Sequence, residues 1–286
     1  MSRARKLNII SDIVHFKRRE YLTPNYVRVT LDGPGVQTFA HATNGVNNKI
    51  LVPPLGVRDL HLPTPDPETG ELVEAPEHLR PLRRTYTHRG VDLEKQELYI
   101  EFIAHQGGGP AAHWAEHAQV GDPIHVAMKG GAIDVVPPRD WYVLAGDATA
   151  IPVIRAVLES LPASAAGHAL LEVESREHVQ TLPTSSQLNV EWLIRDASED
   201  SPIPARIAAL RFPEEKSRFV YVAGEYHLVK ATRSHLRHDR GLTPSDYWAY
   251  AYWKRGAEEH ISEADRRAER AAGDAPLTKE APSLEV

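Results

Sequence analysis

Cysteine is absent from all 286 residues, which removes disulfides, thiolate metal sites, iron–sulfur clusters and a cysteine nucleophile at once. Electron chemistry, if there is any, has to rest on a bound organic cofactor. Long apolar runs are missing as well: no stretch approaches the roughly 20 residues that cross a bilayer, so no stable membrane insertion is expected. Positive charge is not in excess, since 33 basic residues stand against 39 acidic ones for a formal net charge of -6, and this balance gives a nucleic-acid partner no support. The basic start (Arg3, Arg5, Lys6) leads into a short apolar run interrupted by Asp12 and followed by His15 and Lys17. That is not a signal peptide, and a cytoplasmic location is expected.

What is present reads as two grammars in succession. Residues 8–16 and 26–31 are strands separated by Thr23-Pro24-Asn25 and closed by Asp32-Gly33-Pro34-Gly35. A third strand includes Lys49-Ile50-Leu51-Val52 and ends at Pro53-Pro54. Residues 53–81 are proline-rich and polar and read as an irregular excursion. Residues 97–104 and 123–128 alternate as half-buried strands. Short strands with turns between them predict an antiparallel Greek-key β-barrel.

From Trp141 the pattern changes to strands alternating with helices. Residues 141–146, 168–172, 190–194 and 219–223 are short apolar strands, with helices after Asp147, near 203–210 and over 225–238. Such alternation predicts an α/β parallel sheet with ligands at the carboxyl ends of its strands. The Gly-x-Gly-x-x-Gly fingerprint is missing, so the sheet is not the usual dinucleotide fold by motif. The expected domains are 1–136, 137–256, and a C-terminal helix with a disordered tail over 257–286.

Arg84-Thr85-Tyr86-Thr87-His88-Arg89 stands out within the first half. In an extended strand Arg84 and Tyr86 share one face and Thr87 falls on the other. A guanidinium matches a diphosphate and a tyrosine ring offers a stacking surface. Gly107-Gly108-Gly109-Pro110-Ala111-Ala112-His113-Trp114-Ala115 puts bare backbone before a proline suited to the first turn of a helix, an arrangement that receives anions. His113 and His117 sit at i, i+4, but no third ligand is evident; surface histidines and no resident metal are expected.

Arg84-x-Tyr86-Thr87-x-Arg89 resembles the FAD motif of siderophore-interacting proteins, a branch of the ferredoxin reductase superfamily. Four further stretches are similar to that family's, in its order: Gly109-Pro110-Ala111-x-x-Trp114-Ala115 with Gly121-Asp122, Gly146-Asp147-x-Thr149-Ala150-x-Pro152, Ala223-Gly224-Glu225, and Tyr252-Trp253-x-x-Gly256. The resemblance covers about residues 25–256. It implies an FAD-binding barrel, an NAD(P)H-binding α/β domain, and an FAD-dependent ferric-siderophore reductase that works as a monomer. The cofactor-binding positions it implies are Arg84, Tyr86, Thr87, Arg89, Gly109, Pro110, Ala111, Ala112, Asp147, Thr149, Ala150, Gly224, Glu225 and Trp253. For the ferric siderophore it implies Lys49, Lys129 and Lys254, although Lys129-Gly130-Gly131-Ala132 replaces the family's frequent Gly-Pro-x-Gly. No catalytic side chain is required, because the flavin carries the chemistry. NADPH and NADH both stay open: Arg176, Arg233 and Arg237 suit a 2'-phosphate, Glu172 and Glu174 a free ribose hydroxyl. A general flavin or quinone reductase and a siderophore-binding carrier remain as alternatives.

Overall fold

The computed structural model describes residues 8–104, 109–196 and 200–256. The first two glycines of the Gly107–Ala115 stretch and the helix and tail expected beyond Gly256 lie outside the described residues. The chain divides into two compact units, Met1–Ile133 and Asp134–Val286.

The first unit is a closed antiparallel barrel. Its strands are β1 (Ile9–Thr23), β2 (Tyr26–Asp32), β3 (Asn47–Val52), then the two-residue pair β4 (Thr64–Pro65) and β5 (Leu72–Val73) outside the wall, β6 (Leu82–Asp92), β7 (Glu97–Ile103) and, after helix α1 (Pro110–His117), β8 (Pro123–Lys129). Around the barrel the order is β1-β2-β7-β6-β3-β8, with β8 pairing back onto β1. Alternation does the sorting. Val27, Val29 and Leu31 of β2 stand opposite Phe102, Ile100 and Leu98 of β7, and all six are fully buried in the interior.

β1 is longer than the expected 8–16, because hydropathy reading stops at Phe16 where charged residues begin. The strand continues since the outside of a barrel wall accepts charge: Arg18 makes a two-pronged contact with Glu97, and Lys17 reaches the same carboxylate at 2.9 Å. Residues 53–81 are mostly irregular, apart from β4, β5 and one short 3-10 turn, and Arg58 ties this excursion to Asp122.

An ionisable group lies inside the barrel. His88 stands opposite Ile100, is fully buried, and neither ring nitrogen has a hydrogen-bond partner among the described residues. Burial, with the neighbouring Arg89 charge adding to it, lowers its pKa to about 4.

The second unit is a five-stranded parallel sheet in the order β11-β10-β9-β12-β13. Its elements are β9 (Trp141–Gly146), α2 (Ile151–Ser160), β10 (Ala166–Val173), β11 (Gln187–Ile194), α3 (Ile203–Ala208), β12 (Arg218–Glu225), α4 (Tyr226–Ser234) and β13 (Tyr247–Trp253). The chain starts at the central strand, fills one side with β10 and β11, and returns to fill the other with β12 and β13. The order therefore reverses between β9 and β12, which is where a doubly wound sheet opens a crevice at its carboxyl edge. On one face Val143, Ala145, Val220 and Val222 pack with Ile203, Ile207, Leu228 and Leu236. The helix expected over 225–238 is α4 followed by a π-helical turn, His235–Asp239.

His88 makes the barrel's stability depend on pH with a definite sign. Its folded pKa lies below the unfolded value of 6.5, so the unfolded chain binds the extra proton between the two. Stability is complete above pH 6.5 and falls by up to about 3 kcal/mol as the pH drops toward 4. His88→Leu should flatten most of this slope in urea unfolding measured between pH 7 and 4.5, with burial of His125 leaving a smaller residue. An unchanged slope would refute the assignment.

Candidate functional site

The barrel unit carries the Arg84–Arg89 stretch on β6. Register pairs Arg84 with Ile50 and Tyr86 with Asn48, so both project from one side of the strand, while Thr85 pairs with Lys49 and Thr87 with Asn47 on the other. Arg84 and Tyr86 are half-buried; Arg84 donates to the Arg83 carbonyl, and the Tyr86 ring tilts against Phe102 with centroids 4.4 Å apart. Thr87 is buried. Between His88 and Gly90 the pairing with β7 shifts register, so Arg89 sits in a β-bulge. The bulge sends its side chain into a buried ion pair, with Nε 3.4 Å from Glu101 Oε2. Glu101 also accepts from the Tyr26 hydroxyl at 2.6 Å and from Arg28 Nη2 at 2.6 Å. The second arginine of the motif is thus part of a buried network with Glu101, whereas the first is directed elsewhere.

Helix α1 packs against β2, β3, β6 and β7. Gly109 precedes it with no side-chain cap, Pro110 occupies its first turn, and Ala111 and Ala112 are buried. A side chain at Gly109 would meet nothing within 4 Å. First-turn amides of a helix have no partner within the helix, and together with the helix dipole they favour an anion there. Trp114 anchors the helix edge-on to Phe16, with ring centroids 6.0 Å apart. The His113 and His117 rings stack 4.0 Å apart, and no cluster of three metal-ligating side chains occurs among the described residues.

The residues of this unit fit an FAD on three counts. Arg84 and Tyr86 leave one side of β6 together, the start of α1 is uncapped and open at Gly109, and Asn48, fully buried beside Tyr86, has both amide atoms without a partner among the described residues. Asn48 went unnoticed in the sequence, where nothing in Asn47-Asn48-Lys49 marks one asparagine as interior. Lys49 lies by register on the side of β6 opposite to Arg84 and Tyr86, with Nζ 2.5 Å from Thr85 Oγ1; Lys129 ends β8 opposite Ile9.

In the second unit the motifs meet at one carboxylate. Asp147 follows β9 at the switch point and is buried. Its Oδ1 accepts from Thr149 N at 2.9 Å and Thr149 Oγ1 at 2.5 Å; its Oδ2 accepts from Glu225 N at 2.7 Å and Trp253 Nε1 at 2.8 Å. Burial pushes this carboxyl's pKa up, and the same four hydrogen bonds oppose that rise. Both oxygens are used within the protein, holding Thr149, the Glu225 amide and the Trp253 indole in place.

The glycines here are forced by proximity. A Cβ on Gly224, whose φ is +141°, would lie 2.7 Å from the Asp147 carboxyl carbon. A Cβ on Gly146 would lie 2.3 Å from the Ala223 carbonyl oxygen and 2.5 Å from Ala150 Cβ. Glu225 caps α4, its Oε2 accepting from His227 N at 2.5 Å, while its Oε1 accepts from Arg255 N at 3.2 Å. Thr149 and Trp253 are half-buried, Ala150 fully so. Behind Trp253, the Tyr252 and Tyr221 hydroxyls meet at 2.7 Å, and burial raises the Tyr252 pKa to about 12.

The nucleotide-preference residues separate. Glu172 is buried against Arg195 Nε at 2.5 Å and also accepts from Ser201, whereas Glu174 and Arg176 are exposed. Arg233 lies half-buried at the end of α4, and Arg237 is exposed on the π-helical turn.

A closed antiparallel barrel followed along the chain by a parallel sheet with its tightest turns at the switch point gives the chain a ferredoxin-reductase-like fold. Residues 15–133 match the sequence profile of the siderophore-interacting FAD-binding domain, and residues 139–256 that of the siderophore-interacting protein. The ferric vibriobactin reductase of Vibrio cholerae is 34% identical over 256 residues, covering 89% of this chain and 93% of that protein. An NADPH-dependent ferric-chelate reductase of Escherichia coli is 29% identical over 239 residues, covering 82% and 90%. The crystal structure of the siderophore-interacting protein SipS from Aeromonas hydrophila has a TM-score of 0.76 at 28% identity, covering 93% of this chain and 99% of that one. The chain belongs to the siderophore-interacting protein family.

The Asp147 hub should be visible in stability. Asp147→Ala leaves the Glu225 amide and the Trp253 indole N–H without their acceptor, at a cost of roughly 2–4 kcal/mol. Gly224→Ala should cost a similar amount through contact and backbone strain. Both are read as lowered urea midpoints; loss of less than about 0.5 kcal/mol in Asp147→Ala would remove the hub from the account.

Proposed function

We propose that this protein is a ferric-siderophore reductase that takes electrons from NAD(P)H through FAD to siderophore-bound iron(III) and releases iron(II) in the cytoplasm. The observation that carries the reading is the 34% identity with a ferric vibriobactin reductase, which runs through both the barrel and the sheet. Bound FAD would supply the conversion of one hydride's electron pair into single electrons. The protein's part is to bind, orient and exclude water. Arg84 and the first turn of α1 hold the diphosphate, Tyr86 offers its ring, and Thr87 contributes from the other side of β6. Arg89 acts at one remove, by fixing the bulge through Glu101.

In the second unit Asp147 holds Thr149, the Gly224-Glu225 turn and Trp253 in one arrangement at the carboxyl edge, and these receive the nicotinamide nucleotide. NADPH is the favoured donor. The relative named as NADPH-dependent supports this, and so does Glu172, whose carboxylate is engaged by Arg195 and Ser201 and does not present itself to a ribose hydroxyl. The iron(III) chelate is substrate. Reduction to iron(II) weakens its hold on hard oxygen donors and lets the metal leave.

The test is an anaerobic absorbance titration of FAD-reconstituted protein with NADPH, then with a ferric siderophore and a ferrous trap. Bleaching by NADPH and recovery with trapped iron(II) is the expected result; failure to bind FAD would overturn the reading. Arg84→Ala should weaken FAD binding about ten- to a hundredfold, as loss of a charge-assisted contact does, with little change in unfolding midpoint. Arg89→Ala should show the reverse emphasis, since it breaks a buried ion pair.

A further inference from the structure

Two polar side chains stand in the barrel interior without a hydrogen bond among the described residues. Asn48 and His88 are both fully buried, and neither amide atom of Asn48 nor either ring nitrogen of His88 has a partner there. A buried polar atom in that state costs its full desolvation, so folded proteins keep few of them, and two such side chains close together call for a shared solution.

Register brings them together. Asn48 pairs with Tyr86 across β3 and β6, and His88 continues the same ladder by donating its amide to the Val46 carbonyl at 2.9 Å. Residues two apart in a strand share a face, so Tyr86 and His88 stand in one row of β6, with Asn48 opposite the first and diagonal to the second. Such diagonal neighbours are roughly 7 Å apart, a separation that a water bridges and a direct hydrogen bond does not. The residues that pair with them from the neighbouring strands are apolar: Met128 with Asn48 and Ile100 with His88. Burial keeps His88 neutral, so its ring has one donor and one acceptor nitrogen, and the Asn48 amide also offers both kinds. Beside His88 the ladder with β7 is interrupted by the bulge at Arg89, where the wall is least tightly closed.

We propose that Asn48 and His88 hold at least one water inside the barrel, and that this hydrogen-bonded unit is a positioning element for Tyr86 in the FAD site. Tyr86 has the Phe102 ring on one side at 4.4 Å, with Asn48 and His88 as its neighbours on the same face. Hydrogen bonds give those two neighbours a fixed direction, which apolar contact alone does not. The positioning role rests on the flavin reading; the water site does not.

The water site is tested by a double-mutant cycle in the full chain: Asn48→Leu, His88→Leu and both together, with urea unfolding at about pH 8, where His88 is neutral in the folded and the unfolded chain. In a water-linked pair each single replacement strands the partner and should lower the folding equilibrium constant about tenfold, while the double replacement recovers most of that loss. Independent, dry side chains behave differently, since each leucine then removes an unmet polar group. Single variants that gain stability, or a double effect equal to the sum of the singles, would overturn the pair. A high-resolution crystal structure should show the water within hydrogen-bond distance of both side chains, and a dry space between them would overturn it too.

Positioning is read from FAD rather than from stability. Asn48→Leu and the double variant should each bind FAD about fivefold more weakly and leave its fluorescence less quenched, although the double variant is nearly as stable as the wild type. His88→Gln, which keeps a donor and an acceptor, should stay near the wild type in both readouts. Unchanged FAD affinity and quenching in the double variant would overturn the positioning role. A wild type that binds no FAD would overturn the flavin reading and that role together, and the unfolding cycle would still decide the water site.

Discussion

A buried carboxylate has to be matched by donors, and in this protein the matching organises the carboxyl edge of an entire sheet. Asp147 takes four hydrogen bonds from three separate places in the chain: its own turn, the end of β12, and the end of β13. Each donor brings with it a feature that has to be small or fixed. Gly224 is glycine because the Asp147 carboxyl carbon occupies the space of its Cβ, and Gly146 because the Ala223 carbonyl does. The parallel sheet supplies the geometry for this, since strand order reverses between β9 and β12 and brings their carboxyl ends side by side. Removing the carboxylate would leave those ends adjacent but unlatched.

The barrel solves a different problem, that of carrying charge on a wall whose inside is apolar. Glu97 gathers Lys17, Arg18 and the Tyr99 hydroxyl, while Glu101 gathers Tyr26, Arg28 and Arg89. Both carboxylates are nearly devoid of exposure, so each is held by several donors, as buried charge demands. One consequence reaches the site. The bulge at Arg89 adds one residue to β6 and moves this arginine into the Glu101 network, leaving Arg84 as the cation placed beside Tyr86.

Much of this was legible from residues alone. Turn signals at Thr23-Pro24-Asn25, the alternation of β2, β7 and β8, and the change to apolar strands at Trp141 define two units and their types, because periodicity and turn chemistry are local. The ordered motifs point to the family for the same reason. Local reading failed where partners are distant in the chain. Charged residues hid the second half of β1, whose strand character comes from β2 and Glu97. Glu172 looks like any carboxylate at a strand end until Arg195, on the far side of β11, is seen to occupy it.

By itself the sequence determined the order of elements, the apolar faces and the glycine-bearing turns, since these follow from side-chain period and backbone freedom within a few residues. Only the tertiary structure decided what each polar side chain is for. Whether a carboxylate latches or pairs turns on donors that can arrive from 23 or 106 positions away, as with Arg195 for Glu172 and Trp253 for Asp147. Burial makes those meetings compulsory, because a charge removed from water is tolerated only where the fold delivers its partners.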